Sequence, residues 1–265
     1  MLNYPNIDPV ALQLGPLKIH WYGLSYLIGF YGAWWIALRR TRLAHVNWTK
    51  DEVSDLLFYA VMGIILGGRL GYTLFYNFSG WLADPLVLLR IWEGGMSFHG
   101  GLIGVVTAII LFARKTGRPI HEVGDFTVVV VPFGLMTGRI GNFINGELWG
   151  GPSDLPWAMV FPGAGPEARH PSMLYEAFLE GAVLLAILLW FSSKPRPALA
   201  VSGVFLFGYG LFRSLVETVR VPDEHIGYLA WDWLTMGQLL SLPMMLAGAA
   251  MLAWGYFGGG VLSRK

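Results

Sequence analysis

Seven stretches of apolar residues run along this chain, separated by charged residues or by proline and glycine. An α-helix needs about 20 predominantly apolar residues to cross the hydrocarbon core of a bilayer. Each stretch is close to that length, so the pattern predicts an all-α integral membrane protein with seven transmembrane helices. We place these helices at residues 19–38, 53–75, 97–113, 122–138, 173–191, 198–217 and 236–256.

The composition agrees with a membrane protein and excludes several other classes. Hydrophobic residues make up 55% of the 265 and charged residues 13%, whereas a soluble domain has about 25% charged residues. We therefore expect a single membrane domain over residues 1–265. No basic tract suits nucleic acid. Cysteine is absent, which excludes a disulfide, a thiolate metal site and a cysteine nucleophile, so any thiol chemistry must use a thiol of the substrate.

The basic residues are distributed unevenly between the two ends of the predicted helices. Eleven of the eighteen Lys and Arg residues follow the first, third, fifth and seventh helices. Because segments rich in Lys and Arg remain in the cytoplasm, this distribution predicts an N-terminus outside and a C-terminus in the cytoplasm. The residues assigned to the cytoplasmic side are Arg39, Arg40, Arg42, Lys50, Arg114, Lys115, Arg118, Lys194, Arg196, Arg264 and Lys265.

Two segments outside the predicted helices differ from the helices in composition. Residues 76–95 carry Trp81, Trp92, Arg90 and Glu93 among leucines, which predicts an arm lying in the membrane interface. Residues 148–171 contain five of the fifteen prolines. We expect this second segment to form a small irregular head on the outer side of the membrane.

Charged and titratable residues within the apolar helices are the candidates for function. A charge at the centre of a bilayer costs about 3 kcal/mol or more, so such a residue normally faces a partner or a wet cavity. Four of the predicted helices contribute such residues near their outer ends, at a depth similar to that of Tyr22 in the first helix. The sequence thus predicts one polar pocket near the outer face. Its candidate residues are Arg69, His99, Arg139, Arg213 and Glu217.

The spacing of the polar residues indicates which of them share a helix face. Tyr209, Arg213 and Glu217 follow one another at four-residue intervals and lie on one face, where an Arg–Glu pair can hold a guanidinium in position. Arg139 and Asn142 are three residues apart in a stretch that contains glycine, which indicates a polar rim with tight packing.

These residue types favour chemistry on a phospholipid. The guanidinium fork matches phosphate oxygens, and the imidazole of His99 can accept a proton from a nucleophile. Structural roles remain alternatives: an ion pair or an interfacial position for Arg69, a helix cap for His99, and a structural pair for Arg213 with Glu217. No group of His, Asp or Glu has the spacing of metal ligands. The residues alone leave an enzyme and a transporter equally open.

Five stretches of the sequence closely resemble the prolipoprotein diacylglyceryl transferase family, in order and over essentially the whole chain. The stretch of residues 138–147, GRIGNFINGE, is the most specific of them. The other four are His20-Trp21-Tyr22-Gly23, His99-Gly100-Gly101-Leu102-Ile103-Gly104, Arg169-His170-Pro171-Ser172, and Tyr209-Gly210-Leu211-Phe212-Arg213 with Glu217.

The resemblance implies a multi-pass enzyme of the bacterial cytoplasmic (inner) membrane, with its active site toward the periplasmic face. Such an enzyme moves the sn-1,2-diacylglyceryl group of phosphatidylglycerol, a membrane lipid, onto the lipobox cysteine of a prolipoprotein signal peptide. A thioether forms and glycerol 1-phosphate leaves, which is the first step of lipoprotein maturation. No metal or organic cofactor is implied.

The resemblance also implies roles for individual residues. His99, Arg139 and Arg213 are expected to be catalytic, with the arginines on the leaving phosphate and His99 as a general base. The alternatives to His99 are that Glu147, or a cationic field alone, lowers the pKa of the substrate thiol. The residues expected to bind or orient the substrates are Tyr22, Asn142, Glu147, Tyr209, Glu217 and Arg69.

Two other functions compete with this transferase. A lipid phosphatase or a phosphoethanolamine-type transferase attacks phosphorus and usually needs a protein nucleophile or a metal cluster, and the sequence offers neither. A lipid or solute transporter would be favoured by inverted repeats and paired broken helices, of which the sequence gives no clear sign.

Overall fold

The computed structural model describes residues 2–221, 227, 229–230 and 233–258, and most of these residues are helical. Two of the predicted cytoplasmic residues, Arg264 and Lys265, lie outside this range. The α-helices are α1 (Trp21–Arg40), α2 (Lys50–Tyr76), α3 (Phe78–Ala83), α4 (Phe98–Thr116), α5 (Ile120–Thr127), α6 (Val131–Asn145), α7 (Ser172–Glu176), α8 (Leu184–Phe191), α9 (Ala200–Glu217) and α10 (Met236–Phe257).

The structure also contains three helical segments that are not α-helical. A π-helical segment, Ala177–Val183, joins α7 to α8 without a break. Two 3-10 turns, Pro85–Leu88 and Ile91–Glu93, follow α3 in the predicted arm. The chain divides into two compact units, Met1–Ala37 with Asp125–Lys265, and Leu38–Gly124.

Five helical segments among the described residues are long and apolar enough to cross a membrane, namely α2, α4, the continuous helix Ser172–Phe191, α9 and α10. Their ends lie within three residues of the predicted ones. The pair α5 and α6 adds a sixth candidate if it is counted as one bent span. Helix α1 is 20 residues long but falls outside this set, because its Trp and Tyr residues and its final two arginines lower its hydropathy.

The predicted fourth helix is broken and extends further than expected. Helices α5 and α6 meet at an angle of 42°. Val128, Val129 and Val130, which lie at the break, have modest helix propensity. Pro132 in the first turn of α6 has no backbone N–H and cannot bond to the residue four positions before it. The sequence predicted that Arg139 lies at the outer end of this helix. Because α6 continues to Asn145, Arg139 lies instead in the middle of α6.

Four short strands modify the all-α prediction. Strands β2 (Val10–Leu14) and β3 (Leu17–His20) form an antiparallel hairpin directly before α1. Strand β1 (Leu2–Asn3) pairs in parallel with β4 (Met159–Val160) of the head. Strands of two to five residues contain too few alternating positions to be recognised from the sequence.

Hydrogen bonds connect the N-terminal segment to α6 and the head segment to α7. The hydroxyl of Tyr4 donates to the main-chain oxygens of Phe143 and Ile144, each at 2.7 Å, at the end of α6. His170 Nδ1 lies 3.3 Å from the hydroxyl of Tyr175. Partial burial lowers the pKa of His170 below its ordinary value.

Helices α2 and α4 pack closely in the second unit. A Cβ atom at Gly104 would lie 1.9 Å from the main-chain oxygen of Gly63, so only glycine permits this separation. Beyond α2, the arm exposes large apolar side chains that include Leu82, Leu89 and Trp92. The second unit therefore combines a tightly packed helix pair with an apolar surface on the arm.

Candidate active site

The centre of the first unit is a buried carboxylate, Glu176, held by three arginines. Its side chain is 0% exposed and the arginine side chains are 14–22% exposed. Nε of Arg139 lies 2.5 Å from one Glu176 oxygen. Nη1 of Arg213 and Nη1 of Arg220 lie 2.7 Å and 2.5 Å from the other. We call these four residues, together with Glu217, the arginine cluster.

Glu217 is the second carboxylate of the arginine cluster. One of its oxygens lies 2.9 Å from Nη2 of Arg213 and 3.5 Å from Nε of Arg220. Its other oxygen accepts a hydrogen bond of 3.0 Å from the hydroxyl of Thr235, the residue that caps α10. The predicted Arg213–Glu217 pair is therefore present, but it belongs to a larger network.

Helix geometry explains why these side chains meet. Arg213 and Glu217 are four residues apart on α9, and Arg220 follows three residues later in the turn that ends the helix. Helix α6, which carries Arg139, lies close to the π-helical segment: a Cβ atom at Gly181 would be 2.5 Å from Cβ of Met136. This close approach brings Arg139 within reach of Glu176, one helical turn before Gly181.

Charges buried to this extent depend on one another. Removing a charge from water costs several kcal/mol, and a partner at close range compensates for that cost. Loss of a single member leaves an uncompensated charge and typically costs about 3–5 kcal/mol. Glu176 is the most sensitive position, because its carboxylate is the partner of three arginines at once.

A polar rim continues from Arg139, as the spacing predicted. Nη1 of Arg139 donates to Asn142 at 3.5 Å. The amide nitrogens of Asn142 and Asn145 donate to one oxygen of Glu147 at 2.8 Å and 3.2 Å. Nη2 of Arg139 makes no hydrogen bond to any residue that the structure describes, so two of its N–H groups remain available to a ligand.

Two tyrosines predicted in the site have different surroundings. The hydroxyl of Tyr22 lies 3.0 Å from that of Tyr26, and a Cβ atom at Gly141 of α6 would be 3.2 Å from the ring of Tyr22. Tyr209 stacks on Phe205, with ring centroids 6.0 Å apart, and packs against an apolar cluster. Tyr22 thus lies beside the helix of Arg139, whereas the ring of Tyr209 contributes to the apolar core.

Arg69 lies in the second unit and is 4% exposed. All five N–H groups of its guanidinium donate to main-chain oxygens of the arm, so no donor remains for a phosphate. These contacts favour the structural alternative for Arg69, as the residue that attaches the arm to α2. The acceptors are Leu88 at 3.2 Å, Gly95 at 3.1 Å, Arg90 at 2.9 Å, and Val87 and Gly94.

His99 also belongs to the second unit, as the second residue of α4, and its side chain is exposed. Its ring contacts Phe98 edge-on, with centroids 5.7 Å apart. The helix cap is Ser97, whose hydroxyl accepts from the backbone N–H of Gly100 at 3.2 Å. The capping role considered for His99 is therefore filled by its neighbour.

Three residues of this region were not identified as site residues from the sequence. Glu176 and Glu180 are two carboxylates inside the predicted fifth helix, which was not among the helices expected to contribute to the pocket. The cost of placing a charge in a bilayer, which pointed to Arg213, points equally to both. Arg220 was not assigned to the pocket either.

The fold and the cluster define a class: a multi-helix membrane protein with partly buried arginines paired with carboxylates. Among the described residues, no group of three or more His, Asp or Glu could hold a metal ion. The family model of the prolipoprotein diacylglyceryl transferases matches residues 9–254. The chain belongs to this family.

Several relatives carry the name phosphatidylglycerol–prolipoprotein diacylglyceryl transferase. The protein of Methylococcus capsulatus is 62% identical over 257 residues, which cover 97% of this chain and 98% of the relative. That of Ectopseudomonas mendocina is 59% identical over 97% of both chains. That of Coxiella burnetii is 57% identical over 97% of this chain and 98% of the relative.

We predict that Glu176→Leu lowers the free energy of unfolding by about 3–5 kcal/mol, because three arginines lose their shared carboxylate. Thermal unfolding in detergent measures the change. Glu167→Leu is the matched control, since this carboxylate is 61% exposed and 3.6 Å from its arginine, and it should change stability by less than about 0.5 kcal/mol. Equal effects of the two substitutions would contradict a central role for Glu176.

Proposed function

We propose that the arginine cluster is the catalytic centre of a diacylglyceryl transfer. The enzyme moves the sn-1,2-diacylglyceryl group of phosphatidylglycerol onto the lipobox cysteine of a prolipoprotein signal peptide. A thioether forms, glycerol 1-phosphate leaves, and the first step of lipoprotein maturation is complete. The observation that carries this proposal is the convergence of three partly buried arginines on the buried carboxylate of Glu176, in a chain whose relatives are named for both substrates.

The charge flow of the reaction explains why arginines are needed. The substrate thiolate attacks the glyceryl carbon, the carbon–oxygen bond breaks, and the leaving phosphate takes the electron pair. Negative charge therefore grows on phosphate oxygens, and arginines beside them stabilise the transition state more than the ground state. Nη2 of Arg139 and Nε of Arg213 make no hydrogen bond to the described residues, so both can serve this purpose.

The paired charges of the arginine cluster suit a phosphodiester. Three guanidinium groups meet two carboxylates in direct ion pairs, which leaves one positive charge in excess. A phosphodiester carries one negative charge. Glu176 and Glu217 hold the arginines in place before the lipid arrives, so little reorganisation is needed when charge develops.

The thiol proton needs an acceptor, for which His99 is our candidate. A free thiol has a pKa near 8.5 and is mostly protonated at neutral pH. An imidazole is suited to remove that proton, and the side chain of His99 is exposed and not used as a helix cap. Glu147, which two amide groups hold beside Asn142, is the alternative base.

We also propose the complete topology. It has seven membrane helices, with α1 and the bent pair α5 and α6 included, an outer N-terminus and a cytoplasmic C-terminus in the bacterial inner membrane. The active site then faces the periplasm, residues 76–95 lie in the interface, and residues 148–171 form the outer head. The distribution of Lys and Arg and the exposed leucines of the arm support this arrangement.

Arg139→Ala should lower the transfer rate by about 100-fold or more, since a donor to the leaving phosphate is lost. Purified protein in detergent is mixed with phosphatidylglycerol and a lipobox peptide, and the peptide mass and released glycerol phosphate are followed. Arg114→Ala removes an exposed arginine at the end of α4 and should leave the rate unchanged. If the folded native chain forms no adduct, the proposed function is wrong.

His99→Gln should lower the rate at neutral pH and restore part of it at alkaline pH, where the substrate thiol ionises without help. The pH dependence of transfer measures this, with His121→Gln, an exposed position on α5, as the control. Full transfer with an unchanged pH profile in His99→Gln would remove His99 from the mechanism and leave Glu147→Gln as the variant to test.

The absence of cysteine makes the topology directly measurable. Asp154→Cys in the head and Lys194→Cys after α8 place single thiols at exposed positions. A membrane-impermeant maleimide should label Cys at position 154, and not at 194, in cells with a permeabilised outer membrane. Labelling at position 194 alone would mean that the orientation is opposite to the proposed one.

A further inference from the structure

Glu180 is a buried carboxylate that the cluster does not use. It lies on the π-helical segment Ala177–Val183, four residues after Glu176, and is 0% exposed. Neither of its oxygens has a hydrogen-bond partner among the residues that the structure describes. By contrast, Glu176 has three arginine partners.

The position of Glu180 places it beside the arginine cluster. Residues four apart in a helix lie on the same face, so its carboxylate follows that of Glu176 along one side. Electrostatic interactions connect it to Glu176 and to the arginines, of which Arg213 and Arg139 contribute most. None of these arginines forms an ion pair with Glu180 among the described residues, since their closest carboxylates are Glu176 and Glu217.

Burial without a partner has a cost. A buried polar group left without a hydrogen bond costs about 1–3 kcal/mol, and a charged one costs more. A helix can retain such a group where a ligand supplies the missing donors. The π-helical geometry is a second sign, because π segments within α-helices are frequent at functional sites. Both observations indicate that the partner of Glu180 arrives with the substrate.

The charges around Glu180 limit which chemical groups can be its partner. Three arginines repel a cation, and the carboxyl group itself disfavours an anion. Neutral hydroxyl groups remain, and two oxygens without partners match a pair of neighbouring hydroxyls. When a phosphodiester lies on the arginines, the head-group glycerol attached to it carries two such hydroxyls.

We propose that Glu180 binds the hydroxyl groups of the head-group glycerol and thereby selects phosphatidylglycerol over phospholipids that lack them. This inference rests on the proposed function and names one determinant of its specificity. A site built to hydrogen-bond a substrate hydroxyl strongly rejects an analogue without it, because its polar group is then left unpaired. A preference of about 100-fold or more is expected on this basis.

The test compares two lipids that differ only in the head group. Phosphatidylmethanol keeps the diacylglyceryl group and the phosphodiester but replaces the glycerol with a methyl group. The kcat/KM ratio of phosphatidylglycerol to phosphatidylmethanol is measured for the native chain, Glu180→Ala and Glu180→Gln. Phe178→Ala is the control, because this side chain lies on the same π segment and is 62% exposed.

In the expected result, the native chain prefers phosphatidylglycerol and Glu180→Ala brings the ratio close to one. It does so by losing activity on phosphatidylglycerol while activity on phosphatidylmethanol changes little. Glu180→Gln keeps the side-chain volume and one acceptor oxygen and should give an intermediate ratio. If the alanine variant does not fold, the kcat/KM ratio of the two lipids for Glu180→Gln tests the inference. Phe178→Ala should keep the native ratio.

Two results would overturn the inference while leaving the proposed function intact. An unchanged ratio in folded Glu180→Ala and Glu180→Gln would mean that water, and not the head group, satisfies the carboxyl group. A parallel loss with both lipids would mean that Glu180 only supports the fold. A native chain that transfers from neither lipid would instead overturn the proposed function, and this inference with it.

Discussion

The ion pairs between one carboxylate and three guanidinium groups determine how the first unit is arranged. Glu176 has no exposure to solvent, so its charge depends entirely on Arg139, Arg213 and Arg220. Those arginines come from α6, from α9 and from the turn after α9. Helices that are far apart in the sequence must therefore lie close together, because each charge would be costly without the others.

In the proposed function, the same interactions prepare the site for chemistry. Ion pairs with Glu176 and Glu217 hold the arginines in fixed positions before any lipid binds. Some donors of Arg139 and Arg213 remain unused by the described residues, so the site can accept an anion without being rebuilt. A preorganised positive charge in a region of low dielectric is the main means by which proteins stabilise a developing anion.

The two units hold arginines in different surroundings. In the first unit, Arg139 and Arg213 pair with carboxylates and have donors that no described residue uses. In the second unit, Arg69 is fully occupied by main-chain oxygens of the arm. Arg69 and Arg213 both occur in apolar helices and look alike in the sequence. Only the identity of their acceptors distinguishes Arg69, which attaches the arm, from the arginines proposed to bind the phosphate.

The sequence predicted the apolar helices with good accuracy, because length and hydropathy are local properties. Helices α2, α4, α9 and α10 begin and end close to the predicted residues. Local spacing also predicted the pairs Arg213–Glu217 and Arg139–Asn142. Predictions were less accurate for the N-terminal strands, whose pairing is non-local, and for the bend between α5 and α6, where valines and a proline interrupt an apolar stretch.

The sequence by itself determined that this is a membrane protein of the diacylglyceryl transferase family, since hydropathy and the motif residues are properties of the chain. Only the tertiary structure decided which charges meet. Glu176 is the partner of Arg139, 37 residues away, and of Arg220, 44 residues away. Helical periodicity cannot predict such contacts, because they depend on how closely α6 approaches the π-helical segment. The same reason applies to Glu180: only the tertiary structure shows that its carboxylate has no hydrogen-bond partner among the described residues.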